Sequence, residues 1–341
     1  MNQVVLVTGV SRELAARLAR SLALDPERQV LGVDASPPRH DLGRASYVRA
    51  DIRSPLVGKV MARRGVDTVV HMAMVSTPTR VGGRSSMKEI NVIGTMQLLA
   101  ACQRSDTFRK LVVQSSVSVY GASPRDPAEF TEDMSAKVQP RTGFGKDSIE
   151  IETYVRGLAR RRPDVVVSTL RLATLMGAGV HSHLTRYLTL PVVPRVLGFD
   201  ARLQFLHPTD AVAALELATV EDLPGTYNVA APDVVTLGQA VRRMGGVSVG
   251  VPQPGAPLLA ALLRSGRLAD FSADQIDALT YGRVMDTSRF RAAGFTPRWS
   301  SREALAELVG TSRPGPLRAE RVEGALGALG RWLNDSGTGR G

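Results

Sequence analysis

Near the start of the chain a Thr-Gly pair stands between an apolar run and an amphipathic one, in VVLVTGVSRELAARLAR. A strand that ends in glycine and turns straight into a helix aims free backbone N–H groups and the positive end of the helix dipole at whatever lies beyond the turn, which suits a diphosphate. Gly9 supplies that turn. The dinucleotide-binding pattern would place further glycines at the Arg12 or Glu13 position and at the Ala15 position, where backbone meets phosphate and helix packs on strand. Ala15 is a mild departure, whereas Arg12 and Glu13 are larger ones. The Arg12 guanidinium could pair with a ribose phosphate, contact the pyrophosphate or sit in solvent. Asp34 closes the second apolar run, about twenty residues on, where a carboxylate accepts hydrogen bonds from ribose hydroxyls and repels a 2′-phosphate, favouring NAD over NADP. Asp51, in RADIRS, follows the third run, where adenine would be contacted.

Other residues of reactive type are read as structural. His181 and His183, in GVHSHLTR, have no thiolate or carboxylate beside them and are expected to be loop residues, so no metal is assigned. His207, in FLHPTD, is expected at a strand end ahead of a helix capped by Thr209 or Asp210. The single cysteine, Cys102, sits in the apolar stretch LLAACQ and reads as a small buried hydrophobe; with no second thiol there is no internal disulfide, which fits a reducing cytoplasm.

The elements that must position these groups follow from the hydrophobic pattern. Short β-branched runs (VVLVTG, QVLGVD, YVRAD, VDTVVHMA, KLVVQSS, VVVSTLRL) alternate with longer amphipathic ones such as LAARLARSLAL and NVIGTMQLLAACQ. That alternation predicts a parallel sheet covered by helices on both faces, doubly wound by right-handed crossovers. The expected organisation is a dinucleotide-binding domain over 1–172, rejoined by 201–230, with a small, mostly helical substrate region from 173–200 and 231–315. A C-terminal helix, VEGALGALGRWL, and a polar tail are expected within 316–341.

The chain has 341 residues, 43% of them hydrophobic and 22% charged, an ordinary composition for a globular protein. Its net charge of +11 would raise nucleic acid or an anionic membrane as partners, but the arginines are scattered. The densest run, Arg160 to Arg162, ends an expected helix, where cations complement the macrodipole. Neither nucleic acid nor a membrane span is therefore expected, and no start-of-chain signal segment is read in the first residues.

Ten segments in order carry a resemblance: VVLVTG, GVD, ADI, DTVVHMA, NVIGTMQLLAAC, SSVSVYG, RLATLMGAG, FLHPTDAVAA, GTYNVA and DTSRFRAAGFTPRW. From residue 3 to about 300 the sequence is similar to the extended short-chain dehydrogenase/reductases of the NAD-dependent epimerase/dehydratase type, nearest to UDP-glucose 4-epimerase-like members with drifted active sites. The resemblance implies a Rossmann fold, NAD contacts from Ile52, Met72 and Ala73, and a nucleotide sugar as small-molecule substrate. It also implies Ser116 as the hydroxyl that bonds the substrate oxygen, with Ser115 a weaker candidate and Tyr120 structural. Arg171 and Thr174 fall at the nucleotide-sugar cleft, Thr174 in place of the usual Asn, while Gly177 and Gly179 read as turn glycines. Pairing of long helices into a homodimer is a further implication.

The same resemblance places Phe144 at the acid/base tyrosine and Ser148 at its lysine partner. The usual chemistry needs a phenol whose pKa is lowered by an ammonium, so that it can take the hydroxyl proton as hydride departs. Lys146, about 200° around the helix from Phe144, and Tyr154, nearly three turns along, are poor substitutes. Val117 and Ser118 stand where the 4,6-dehydratases carry an Asp-Glu pair, so dehydration is not expected. Two readings follow: an epimerase-like enzyme of weak, altered or absent activity, or a catalytically silent dinucleotide- or nucleotide-binding sensor or scaffold.

Overall fold

The computed structural model describes residues 3–76, 83–190, 192–251 and 273–311. The expected C-terminal helix and tail lie outside the described residues. Six strands and five helices come first: β1 (Gln3–Thr8), α1 (Glu13–Leu22), β2 (Arg28–Asp34), β3 (Ser46–Arg49), α2 (Leu56–Arg64), β4 (Thr68–His71), α3 (Gly83–Lys88), α4 (Thr95–Arg104), β5 (Lys110–Ser116), α5 (Gly143–Arg161) and β6 (Val166–Leu172). A π-helical turn, Glu89–Gly94, joins α3 to α4. Among the later elements are β7 (Thr174–Leu175), α6 (His183–Leu188), β8 (Val192–Val196), β9 (Arg202–Leu203), β10 (Phe205–Leu206), α7 (Pro208–Val220) and β11 (Gly225–Val229).

The expected α/β class is what forms: a seven-stranded sheet in the order β11-β6-β5-β4-β1-β2-β3, with every pairing parallel. Its central strands are buried almost along their length, as β4 is throughout, because helices cover both faces and a continuous apolar run is then stable, whereas the edge strand β3 has no buried residue. On α1 the buried residues Ala15, Ala16, Leu18, Ala19 and Leu22 recur at helical spacing. Beside α1 lies α7, tied to it by Arg17 Nη2 on Thr209 Oγ1 and by Ser21 Oγ on Glu216. The opposite face holds Leu6, Met61, Leu98, Ile151 and Leu158 in one apolar cluster. Strand order reverses between β1 and β4, and the crevice at their C-terminal ends is where such sheets take ligands.

Lys110, the first residue of β5, is buried and caps the far end of α7: its ammonium donates to the carbonyls of Thr219, Val220 and Glu221 and lies 2.7 Å from Asp222. Those are the carbonyls a helix C-terminus leaves without partners, and a cation suits the dipole there. Arg160 and Arg161 fill the last turn of α5, as the sequence suggests.

The later region packs around a separate core that includes Met176, Tyr187, Phe205 and Leu305. It comprises β12 (Val235–Thr236), α8 (Leu237–Arg243), β13 (Val247–Val251), α9 (Ala273–Tyr281), β14 (Gly282–Arg283), α10 (Ser288–Ala292) and α11 (Ser301–Thr311). Two expectations are corrected here. His183 is no loop residue: it is buried in the first turn of α6, where Ser182 makes a capping box with Thr185. His207, not Thr209 or Asp210, caps α7, its Nδ1 accepting from Thr209 N–H ahead of Pro208. Asp210 instead accepts the N–H groups of Arg298 and Trp299, pinning the later chain to the sheet domain.

Candidate active site

Thr8, Gly9 and the start of α1 form the turn at the crevice. Gly9 has φ 85, and a Cβ there would come 2.9 Å from the Cα of Ala73, so only glycine lets the turn lie against the end of β4. Beneath it runs a buried hydrogen-bonded chain that the sequence does not announce. Thr8 Oγ1 accepts the N–H groups of Met72 and Ala73 and meets His71 Nδ1 at 2.9 Å, while His71 Nε2 meets Thr95 Oγ1 at 2.8 Å. Burial, with the Arg12 charge adding to it, pushes His71 down to about 4, so the imidazole is neutral and acts as a strut.

Arg12 does not stand out in solvent. Its Nη1 donates to the carbonyls of Met72, at 3.2 Å, and Met74, at 2.6 Å, so the side chain lies half-buried across the crevice. Desolvation lowers its pKa, and Asp34 works against that fall. Asp34 ends β2, but its Oδ2 accepts both the N–H and the hydroxyl of Ser11, and Oδ1 accepts Ser36 N–H. Asp51 is held below the ordinary carboxylate range by hydrogen bonds from Arg53. Ile52 is buried, its side chain under Gly94, where a Cβ would come 2.5 Å from Ile52 Cδ1. The Gly9 turn, the α1 N-terminus and the acid closing β2 fit a dinucleotide, with Arg12 as an added cation at the place of the phosphates.

A cavity of about 350 Å³ opens beyond the ends of β5 and β6. Ser116, Phe144 and Thr174 line it, as do His181, Asp274 and Arg283. The Ser116 hydroxyl accepts from Ser118 N–H at 3.1 Å and bonds Ser118 Oγ at 3.2 Å, capping the short 3₁₀ turn Val117–Tyr120. Phe144 lies on the first turn of α5, lines the cavity and packs against the apolar cluster that holds Leu98 and Ile151. Ser148, one turn on, is fully buried and returns its hydroxyl to the Phe144 carbonyl, so it offers nothing to a ligand. Lys146 is exposed on another face of α5.

Next to Ser148 the fold holds a charge that sequence reading missed. Asp147 is fully buried and takes both Nη groups of Arg84, while Asn91, from the π-helical turn, donates to it at 2.9 Å. Arg84 also reaches the Gly143 carbonyl. This cation stands beside the start of α5, but it is committed to a carboxylate and does not line the cavity.

Arg171 is placed elsewhere than the resemblance implies. It is buried, with Nε and Nη2 on the two oxygens of Glu152 and Nη1 on Tyr120 Oη and the Glu132 carbonyl. Burial opposes its charge, yet the hydrogen bonds and charge of Glu152 outweigh that and hold the guanidinium above its ordinary value. Ser115 donates to the same Glu152, and Tyr120 donates to Asn228, so these are parts of one internal strut. Arg171 is thus separate from the cavity, whereas Thr174 lies on its wall. His207 pairs with Glu307 and stacks on Trp299, as a structural histidine would. Among the described residues no cluster of potential metal ligands forms, and no helix is long and apolar enough to cross a membrane.

Residues 5–230 match the family model described as NAD dependent epimerase/dehydratase family. An uncharacterised protein of Mycobacterium tuberculosis is 45% identical over 97% of this chain and 91% of its own length. UDP-glucose 4-epimerase 3 of Oryza sativa subsp. japonica is 29% identical over 46% of this chain and 39% of its own. Among solved structures, a UDP-glucose 4-epimerase of Thermotoga maritima with UDP-glucose superposes with a TM-score of 0.69 at 18% identity, covering 91% of this chain and 98% of that one. A UDP-glucuronic acid 4-epimerase of Bacillus cereus, a tyrosine-to-phenylalanine variant holding NAD and a UDP-sugar analogue, gives 0.67 at 17% identity over 91% and 98%. At such identities the structural likeness is one of fold.

Proposed function

Because the chain belongs to the NAD dependent epimerase/dehydratase family, we propose that it binds NAD at the Gly9 turn and a nucleotide sugar in the neighbouring cavity, as a relative of the UDP-glucose 4-epimerases that has lost their acid/base pair. The observation that carries this reading is that Ser116 and Phe144 line the same cavity while Ser148 is sealed inside α5. When bound, nicotinamide supplies a hydride acceptor. The chain's own residues orient the ligand: the Ser116 hydroxyl, held by Ser118, presents to a ligand oxygen, and the Phe144 ring keeps the shape of the wall without a proton-transfer oxygen. General acid/base assistance is worth about 10² to 10⁴ in rate, and turnover is lowered by that much. The Bacillus cereus variant supports the binding half of this reading, since that protein holds NAD and a UDP sugar with a tyrosine replaced by phenylalanine.

NAD rather than NADP is favoured by Asp34 at the end of β2. A cytoplasmic site fits the lone, fully buried Cys102, whose thiol burial pushes up, and the exposed Ile93 and Met96 beside α4 suit pairing into a homodimer. A second reading, a silent nucleotide-binding sensor or scaffold, is favoured by Arg12, which closes on Met72 and Met74 across the phosphate turn.

The deciding experiment is to denature the purified protein, assay released NAD(H) and NADP(H), and titrate each by thermal shift. A ligand at one hundred times its dissociation constant adds about 2.7 kcal/mol of stability. Release of NAD, or an NAD-specific shift, is expected; the absence of both would overturn the NAD-binding reading. Phe144→Tyr combined with Ser148→Lys is then expected to raise epimerase turnover by about 10² or more, and an unchanged rate with NAD bound would favour the silent reading.

A further inference from the structure

Among the charged groups of the cavity, Arg283 stands apart. It ends β14, lines the cavity and is half-buried, yet its one hydrogen bond is from Nη2 to the Asp274 backbone carbonyl at 3.4 Å. It enters no ion pair among the described residues. The carboxylates of Asp274, Asp126 and Asp277 act on it only through their field, and burial outweighs them, bringing its pKa down to about 10. Two of those acids, Asp274 and Asp277, are themselves pushed up by burial. Asp274 also lines the cavity, with one oxygen buried without a partner, and the Thr142 backbone N–H lies close enough to its carboxyl to work against the rise in its pKa. That contact fixes the location, since Thr142 caps α5 two residues before Phe144. The under-bonded guanidinium therefore sits at the end of the cavity where the tyrosine position lies.

A guanidinium offers five donors in a planar fork that matches carboxylate or phosphate oxygens two at a time, and the Arg283 nitrogens that bond no protein group are open to the cavity, where an anion can take them. We propose that Arg283 is a ligand-recognition residue, and that the cavity takes a molecule carrying an anionic oxygen group at the Phe144 end. Two sources share this chemistry: an acidic substituent on the sugar and the diphosphate that joins it to a nucleoside. The proposal deepens the reading above by naming what the ligand must carry, but it does not require NAD.

Two simple anions test it without assuming a nucleotide. Inorganic pyrophosphate and free glucuronate, with glucose as the neutral control, are titrated against the full chain by thermal shift, alongside Arg283→Met and Arg283→Lys. At least one anion is expected to raise the wild-type melting temperature while glucose does not. Arg283→Met should weaken that response at least tenfold, and Arg283→Lys should recover part of it. A response to glucuronate assigns the group to an acidic sugar, and one confined to pyrophosphate assigns it to the diphosphate. No shift with either anion, or equal shifts in wild type and Arg283→Met, overturns the proposal. An Arg283-dependent anion response without NAD binding would leave it standing while the NAD reading fell, and NAD binding without an anion response would do the reverse. Cooperative melting of each variant confirms that it is folded, and Arg283→Lys keeps the test open should the methionine variant fail to melt cooperatively.

Discussion

Arg171 and Arg283 are both arginines on strands beside the same cavity, and their surroundings are opposite. Arg171 spends Nε, Nη1 and Nη2 on Glu152, Tyr120 and a backbone carbonyl, and lies inside the sheet domain. Arg283 has one long bond and faces the cavity. A buried cation with four of its five donors met holds the protein together; one short of protein partners has donors free for a ligand. Arg171 is the one that family resemblance marks for the ligand, whereas the partner count points to Arg283.

The sharpest break in this comparison is expected from Arg171→Met, which leaves the buried Glu152 with only Ser115 and Arg156, 3.4 Å away, and should lower unfolding free energy in denaturant by about 3 kcal/mol. Arg283→Met should stay within roughly 0.5 kcal/mol of wild type, and a loss like that of Arg171→Met would show that Arg283 is also a strut. His71, the other fully partnered group of the interior, provides a pH test. Its folded pKa is depressed to about 4 from 6.5, so the unfolded chain binds the extra proton as pH falls between those values. Its contribution is therefore present above about pH 6.5 and lost toward pH 4, amounting to about 3 kcal/mol. A His71→Asn variant should lack that slope in the difference between the two stability curves. Arg12 lies between the extremes, with two carbonyl bonds and a half-exposed side chain. Arg12→Gly is expected to cost about 1 kcal/mol of stability while tightening NAD about tenfold in calorimetry, because no cation then has to leave Met72 and Met74. Weaker NAD binding in that variant would make Arg12 a phosphate clamp instead.

What sequence could reveal follows from how far each signal reaches along the chain. The sheet was legible because strands buried on both faces must be continuously apolar, as VVLVT and TVVH are, and because Gly9 faces a backbone approach that no side chain survives. Ser116 and Phe144 were legible through the order of short motifs. The partners of Arg171 were not: Glu152 is nineteen residues away on a helix and Tyr120 further still, so nothing local shows whether that arginine points in or out. The Arg12 contact depends on carbonyls sixty residues downstream. His183 lay hidden in a helix of six residues, too short for its period to be read. Arg283 closes a two-residue strand that follows a helix, and its isolation is a property of the cavity rather than of TYGRVMD.

The placement of α7 and β11 bears on synthesis at the ribosome. The apolar face of α1 is complete by residue 22, and the outer edge of β6 by residue 172, but the helix that lies beside α1 and the strand that pairs with β6 end only at residues 220 and 229. Until then the nascent chain carries an open sheet edge and an uncovered helix face, both of which invite wrong pairings. Lys110 must likewise wait more than a hundred residues for the carbonyls it caps. Chains interrupted near residue 200 should therefore accumulate as aggregates, and those released after residue 229 should be the first to become soluble.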